Sequence, residues 1–270
     1  LSYNKLSYVR IGENLKFVSL NNNKFLNNID FSSYNNLEML QLDETSSKLI
    51  NAIRFDIFPN LSYLGLNFVS ISYEKLREIQ FIKYLYLQNI NLVISNEFML
   101  NFFNYSLELN LSFNNFEFKL KRLDINLIDQ SPIYILILIG CNLTNYDLEN
   151  SLDFSKMIDL DFLDLSQNNL VEIKAYYFKH NTLITNLFLG DNRIYSIETN
   201  SFKNLRQLQY LNLSFNQLEY FGQDLFGYAS TELNLILLDL RHNQLKKFEI
   251  LNSYFKLLTI LLNFNQIKDL

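Results

Sequence analysis

Apolar residues recur along this chain in the order Leu-x-x-Leu-x-Leu-x-x-Asn-x-Leu, seen in full at Leu208, Leu211, Leu213, Asn216 and Leu218. Leu211 and Leu213 alternate with polar Asn212 and Ser214, the period-two pattern of a short strand that buries one face. Asn216 then marks a turn. Numbered from the first leucine, the asparagine is position 9 of an eleven-residue segment. One such segment cannot fold alone, because its leucines need the same leucines of the coils on either side.

Aligned on position 9, the segment returns about every 24 residues, giving about twelve coils. The anchors are Asn4, Asn23, Thr45, Val69, Ile90, Asn114, Cys141, Asn168, Asn192, Asn216, Asn243 and Asn265. The first complete rung reads Leu15, Val18, Leu20, Asn23, Phe25, and the rung after Ile90 reads on to Leu92; Phe116 closes the one around Asn114. This pattern predicts an α/β leucine-rich repeat solenoid, a curved right-handed coil with a parallel sheet on its concave side and irregular or short helical segments on its convex side. Phe55, Phe178, Phe202 and Phe226 each stand ten residues past position 9, which predicts a phenylalanine column under the convex turns. Residues 1–270 are expected to form a single solenoid without an internal boundary. Leu1, Asn4 and Leu6 already fit the middle of a rung, so the chain is expected to be a piece lacking terminal caps.

The position 9 residues Asn23, Asn114, Cys141, Asn168, Asn192, Asn216, Asn243 and Asn265 form the expected structural column, in which a buried amide satisfies backbone groups of its own and a neighbouring coil. Thr45, Val69 and Ile90 interrupt it. Two readings stay open: local substitution by Asn67, Asn89 or a water, or a change of coil geometry.

Composition narrows the functional classes. About half the residues are apolar, with only 6 Gly and 2 Pro, which supplies a core and argues against disorder. A net charge of −5 removes the footprint of a nucleic-acid or anionic-membrane binder, and the basic cluster Lys119, Lys121, Arg122 is short. The longest apolar run, Ile133 to Ile139, is of strand length, so no membrane contact by this segment is expected. Cys141 is the only cysteine and reads as a small buried side chain. The two histidines, His180 and His242, do not form a catalytic constellation, and His242 beside Arg241 reads as a solvated surface residue. Asp159, Asp161 and Asp164 read as an acidic strip, not a calcium site. No enzyme activity, cofactor or metal is expected.

The motif from Leu208 to Leu218, continued by Phe221 and Phe226, resembles the repeats of animal extracellular leucine-rich proteins, among them Toll-like receptor ectodomains, Slit and chaoptin-like adhesion proteins. The Gly and Ile-Pro signature of plant receptors is missing. The resemblance implies a non-enzymatic recognition domain of a membrane-associated or secreted glycoprotein in signal transduction or cell adhesion, located extracellularly or at the cell surface. It implies a protein or lipid-bearing ligand and the option of a homo- or heterodimer. The alternative is an intracellular scaffold or inhibitor using the same surface. The run Thr45, Val69, Ile90 departs from the pattern, as does a central region of some Toll-like receptors.

Side chains that alternate outward beside the buried leucines give the candidate ligand-binding face: Tyr84, Tyr86, Ile135, Ile137, Ile139, Phe162 and Phe188. The three isoleucines stand out, because the corresponding places in neighbouring rungs are Asn110, Ser112, Asp164 and Ser166. Coverage by the long segment 117–132 is the alternative. Asn60, Asn104, Asn110, Asn142 and Asn212 lie in glycosylation sequons.

Overall fold

The computed structural model describes residues 1–12, 14–31, 36–90, 102, 104–114, 131–150, 152, 154–227, 234–248 and 257–268. Two compact units, Leu1–Glu117 and Phe118–Leu270, make up the chain. Each is a stack of parallel coils of the leucine-rich repeat kind.

In the first unit the strands Phe17–Ser19, Met39–Gln41, Tyr63–Gly65, Tyr84–Tyr86 and Glu108–Asn110 pair in chain order, all parallel and in register on positions 3, 4 and 5. Parallel neighbours follow from the repeat itself, since each strand is reached by a return segment that carries the chain once around the coil. Position 4 points inward at Val18, Leu40, Leu64, Leu85 and Leu109, all buried, and position 6 follows it at Leu20, Leu42, Leu66, Leu87 and Leu111. Burying each such leucine stabilises the stack by roughly 2 kcal/mol. The returns include the six-residue helices Ser47–Ala52 and Tyr73–Glu78. Lys75 crosses from the second helix to the preceding coil, where its ammonium donates to the Ile53 carbonyl at 2.6 Å and to Glu78 at 2.7 Å.

The second unit repeats the plan with Ile135–Ile137, Phe162–Asp164, Asn186–Phe188, Tyr210–Asn212, Leu237–Asp239 and Thr259–Leu261. Short parallel pairs, Glu172–Ile173 with Ser196–Ile197 and Tyr220–Phe221 with Lys247–Phe248, line the return side. The phenylalanine column is present there. Phe178, Phe202 and Phe226 are buried, as is Phe55 in the first unit, and the Phe154–Phe178 and Phe202–Phe226 ring centroids lie 6.2 and 5.5 Å apart.

The asparagine column works as a bridge between coils. The Asn216 side-chain amide donates to Leu213 and Ser214 of its own coil and to Leu189 of the coil before, at 2.9–3.2 Å, while its oxygen accepts the Ile194 N–H at 2.9 Å. Asn168, Asn192, Asn243 and Asn265 repeat this arrangement, and Asn114 does so with Leu87, Leu111 and the Ile90 N–H. Cys141, buried in the column, supplies no amide, and its own N–H is taken by Asn168 at 3.0 Å.

Across Thr45, Val69 and Ile90 a second relay appears, two residues earlier in the rung. The Asn21 side-chain oxygen accepts the Asp43 N–H at 3.0 Å, Asp43 accepts the Asn67 N–H at 2.7 Å, and Asn67 accepts the Gln88 N–H at 2.7 Å. In four of the coils that keep their asparagine, the same position 7 N–H is capped within the coil: Ser112 by Asn110, Ser166 by Asp164, Ser214 by Asn212, Arg241 by Asp239. Asn67 thus links two coils at position 7, while the Leu42 carbonyl, of the kind a position 9 amide takes, accepts the Thr45 hydroxyl at 2.6 Å. Asn89 does not take that role; it occupies the left-handed turn position at φ 50°.

Position 8 is left-handed in coil after coil, at φ 50–61° for Asn22, Glu44, Phe68, Asn89, Phe113, Gln167, Asp191, Phe215, His242 and Phe264. Such a conformation costs a non-glycine residue about 1–2 kcal/mol, so the repeated hydrogen bonds around it hold the turn.

Three details differ from the sequence reading. In the first rung Leu15 and Phe25 are exposed while Ile11 and Leu26 are buried, and the turn closed by the Leu26 N–H on the Asn23 carbonyl at 2.9 Å brings Leu26 inward in place of Phe25. Ile139 lies beyond the end of its strand, in the turn. His242 is not free in solvent but lies between two rings, as described below. Leu92, Phe116, Lys119, Lys121, Arg122 and residues 117–130 of the long return lie outside the described residues.

Replacing Asn216 by Ala removes three donated bonds and one accepted bond from a buried turn and should cost about 3 kcal/mol in urea unfolding. A loss below about 0.5 kcal/mol would show that the bridge carries no net stability.

Candidate functional site

Strand periodicity sends positions 3 and 5 of each rung outward, and these positions form the candidate surface. In the second unit Ile135, Ile137 and Ile139 are half-buried while Leu136 and Leu138 beside them are fully buried. Ile135 stands laterally against Phe162 and Ile137 against Asp164. Phe162 and Phe188 meet diagonally with ring centroids 5.2 Å apart, continuing the apolar strip. Asp164 holds the turn through the Ser166 N–H at 2.9 Å, and burial pushes its carboxyl above the usual carboxylate range. Farther along, buried Asp239 grips Arg241 with both oxygens, at 2.7–3.1 Å, so this guanidinium is neutralised on the face that carries it.

At the turn edge of the same unit, His242 is sandwiched between Phe215 and Phe264, with centroid distances of 4.1 and 4.2 Å and planes within 14°. The stack follows from position 8, whose left-handed backbone aims each side chain outward over the one in the next coil.

In the first unit Tyr84 and Tyr86 are half-buried and outward. Tyr86 donates to the Glu108 carboxylate at 2.5 Å, and its ring packs 5.0 Å from that of Tyr63. Gln41 donates to the Tyr63 hydroxyl at 3.1 Å. Gly65 lies between these groups in the register, beside Gln41 on one side and Tyr86 on the other. A Cβ there would come within 3.1 Å of an Asp43 carboxylate oxygen, so the glycine is what lets that carboxylate lie over the strand. Burial pushes the Asp43 carboxyl up, against the lowering effect of the Asn67 bonds, and Glu44 adds to the rise. Tyr63 is likewise raised, first by burial and then by the charges of Asp43 and Glu108.

The sequence reading named Tyr84 and Tyr86 but passed over Tyr63, Gly65, Gln41 and Asp43. The signal for three of them was available: the same outward positions read in the rungs around Leu40 and Leu64 yield Gln41, Tyr63 and Gly65, while Asp43 lies in the turn. Among the sequons, Asn60 and Asn142 are exposed, Asn104 is half-buried, and Asn110 and Asn212 are half-buried strand residues whose oxygens cap turns. Cys141 is buried and His180 exposed. Among the described residues no three of His, Cys, Asp and Glu converge on a common point, and no helix is long and apolar enough to cross a membrane.

Residues 154–218 match the leucine rich repeat family model. Human lumican is 34% identical over 100 residues, which is 37% of this chain and 28% of lumican, so the match spans under a third of that relative. Among solved structures, a chain of the octameric complex of latrophilin 3, Unc5D and FLRT2 aligns with a TM-score of 0.63 at 24% identity, covering 86% of this chain and 68% of that one. A chain of the Drosophila Toll–Spatzle complex aligns at 0.61 and 17% identity, covering 90% and 37%. The match places leucine-rich repeats in residues 154–218, and the likeness to these solved chains shows a leucine-rich repeat fold.

Because the Asp43 carboxyl is raised in the fold, its favourable contribution is complete below the unfolded value and is lost as pH rises through the folded one. Asp43→Asn keeps an acceptor for the Asn67 N–H and removes the charge. The variant should melt above the wild type at pH 7, with the margin shrinking as pH falls to 3; a margin independent of pH would contradict the assignment.

Proposed function

We propose that this leucine-rich repeat chain is a non-enzymatic recognition module of an extracellular or cell-surface protein, and that it holds a protein partner on its outward strand positions. The observation that carries this reading is the apolar strip of Ile135, Ile137, Phe162 and Phe188, on a face whose backbone is already fully paired within the sheet. Apolar side chains at these places add nothing to the leucine core. They offer a rigid surface whose ordering cost is met in the free protein, which favours binding without rearrangement. The aligned structures named above are chains of complexes between proteins, which supports a protein partner. Exposed Asn60 and Asn142 are suitable acceptors for the glycans an extracellular setting adds.

The test is a panel of purified extracellular proteins read by surface plasmon resonance against the wild type and Ile137→Asp. At least one saturable partner is expected, with affinity reduced tenfold or more in the variant and melting temperature unchanged within a few degrees. Equal binding by Ile137→Asp would move the contact away from this face, and unfolding of the variant would make Ile137 a core residue.

A further inference from the structure

Asn212 heads the sequon Asn212-Leu213-Ser214 at position 5 of its rung, on the outward face of the second unit. Its side-chain oxygen is committed: it accepts the Ser214 N–H at 2.8 Å and the Ser214 hydroxyl at 2.7 Å, which fixes the plane of the amide. Its nitrogen donates to no group among the described residues and is open to solvent. The neighbours leave it so. Asp239, lateral to Asn212 in the following coil, turns both carboxylate oxygens to Arg241, and Phe188, lateral to it in the preceding coil, offers it no oxygen. Gly190 keeps the space beside the amide clear, since a Cβ there would come within 3.2 Å of the Asn212 oxygen and 3.3 Å of its nitrogen. Two residues earlier on the same face, about 7 Å along the strand, the Tyr210 ring is 37% exposed.

We infer that Asn212 is an N-glycosylation site whose first sugar packs on the Tyr210 ring, so that the chain's own glycan occupies the outward face at the Tyr210–Asn212 rung and the protein partner is confined to the Ile135, Ile137 and Phe162 end of the strip. This deepens the recognition reading and rests on its extracellular setting, because the modification takes place in the secretory lumen. In the transfer the Asn212 nitrogen gives up one of its two protons and bonds to the anomeric carbon of the N-acetylglucosamine at the reducing end of a lipid diphosphate-linked oligosaccharide. The bond from that carbon to the diphosphate oxygen breaks, and the lipid diphosphate leaves with the electron pair and takes the proton. Transfer is made on the nascent chain, so the fold decides whether the product is tolerated. The product keeps the amide oxygen, so both Ser214 bonds survive, and the sugar departs from the one atom of the side chain that no neighbour holds. A pyranose presents C–H bonds on one face, and the Tyr210 ring meets them. Strands lie about 4.8 Å apart, so an oligosaccharide rooted on this rung also overlies the rungs beside it.

The full chain is secreted from mammalian cells behind a leader and treated with peptide N-glycosidase in heavy-oxygen water, which converts an occupied asparagine to labelled aspartate, read by peptide mass spectrometry. Label is expected at Asn212 in most molecules and in none that carry Ser214→Ala; an unlabelled Asn212 would overturn the inference. Tyr210→Ala should lower the melting temperature of the glycosylated chain by several degrees more than that of the enzymatically deglycosylated chain, and equal losses, as expected of a merely structural tyrosine, would overturn the packing. Asn212→Asp removes this sugar alone and keeps the turn capped, as Asp164 and Asp239 do in their own rungs. A partner lost on Ile137→Asp should bind Asn212→Asp within twofold of the wild type, and a tenfold change would place that partner on the Tyr210–Asn212 rung and overturn the division of the face. The two readings separate in these assays. An unlabelled Asn212 with a partner lost on Ile137→Asp leaves the recognition reading standing and overturns this one. An occupied Asn212, with every partner indifferent to Ile137→Asp, leaves the modification standing and overturns that reading.

Discussion

The buried side-chain amide at position 9 is the interaction on which the stack depends. Leucine burial holds coils together but does not set how they sit, since a column of leucines can slide or rotate at small cost. An amide with two donors and an acceptor has no such freedom. At Asn192 and Asn216 it ties the position 6 carbonyls of two successive coils and an N–H of the earlier one, in a place where an unpaired backbone group would cost about 1–3 kcal/mol. The left-handed residue at position 8 sits just before this amide. Its strain is tolerated, including at bulky Phe215 and Phe264, because the bonds on either side leave the chain no other route.

Where the amide is lost, the chain does not leave the turn unsupported. From Asn21 through Asp43 and Asn67 to the Gln88 N–H, the link between coils moves to position 7 and runs along the sheet edge. That shift has a chemical consequence. A carboxylate placed in the relay at Asp43 is partly desolvated, and its charge acts on the Tyr63 hydroxyl of the outward face. In the second unit the acids Asp164 and Asp239 stand at position 5 and cap their own turns, beside the apolar strip of Ile135, Ile137, Phe162 and Phe188.

Much of this was legible in the sequence because the repeat aligns itself: the strands, the inward leucines, the position 9 column and the phenylalanine column follow from spacing alone. What spacing cannot show is which side chain reaches the next coil. Val69 and Ile90 announced a gap, and Asn67 was a candidate to fill it, but the use of Asp43 in the same relay depends on lateral contact between rungs 24 residues apart. His242 was misread for the same reason. Taken alone beside Arg241 it looks solvated, whereas lining up position 8 across three coils places it between Phe215 and Phe264. Phe25 failed because the turn closed by the Leu26 N–H on the Asn23 carbonyl buries Leu26 in its place, which motif spacing does not register.

The outward faces can serve recognition only if the backbone beneath them is rigid, and the amide bridge is what makes it so. Amide hydrogen exchange measures this directly. The N–H groups of Leu170, Ile194 and Leu218, held by Asn192, Asn216 and Asn243, should exchange as slowly as the N–H groups of Leu189 and Leu213, which follow directly on their strands and bond to the next coil. Exchange at those three amides orders of magnitude faster than in the strands would contradict the account, since the bridge would then be a contact of the static structure and not a constraint on the fold.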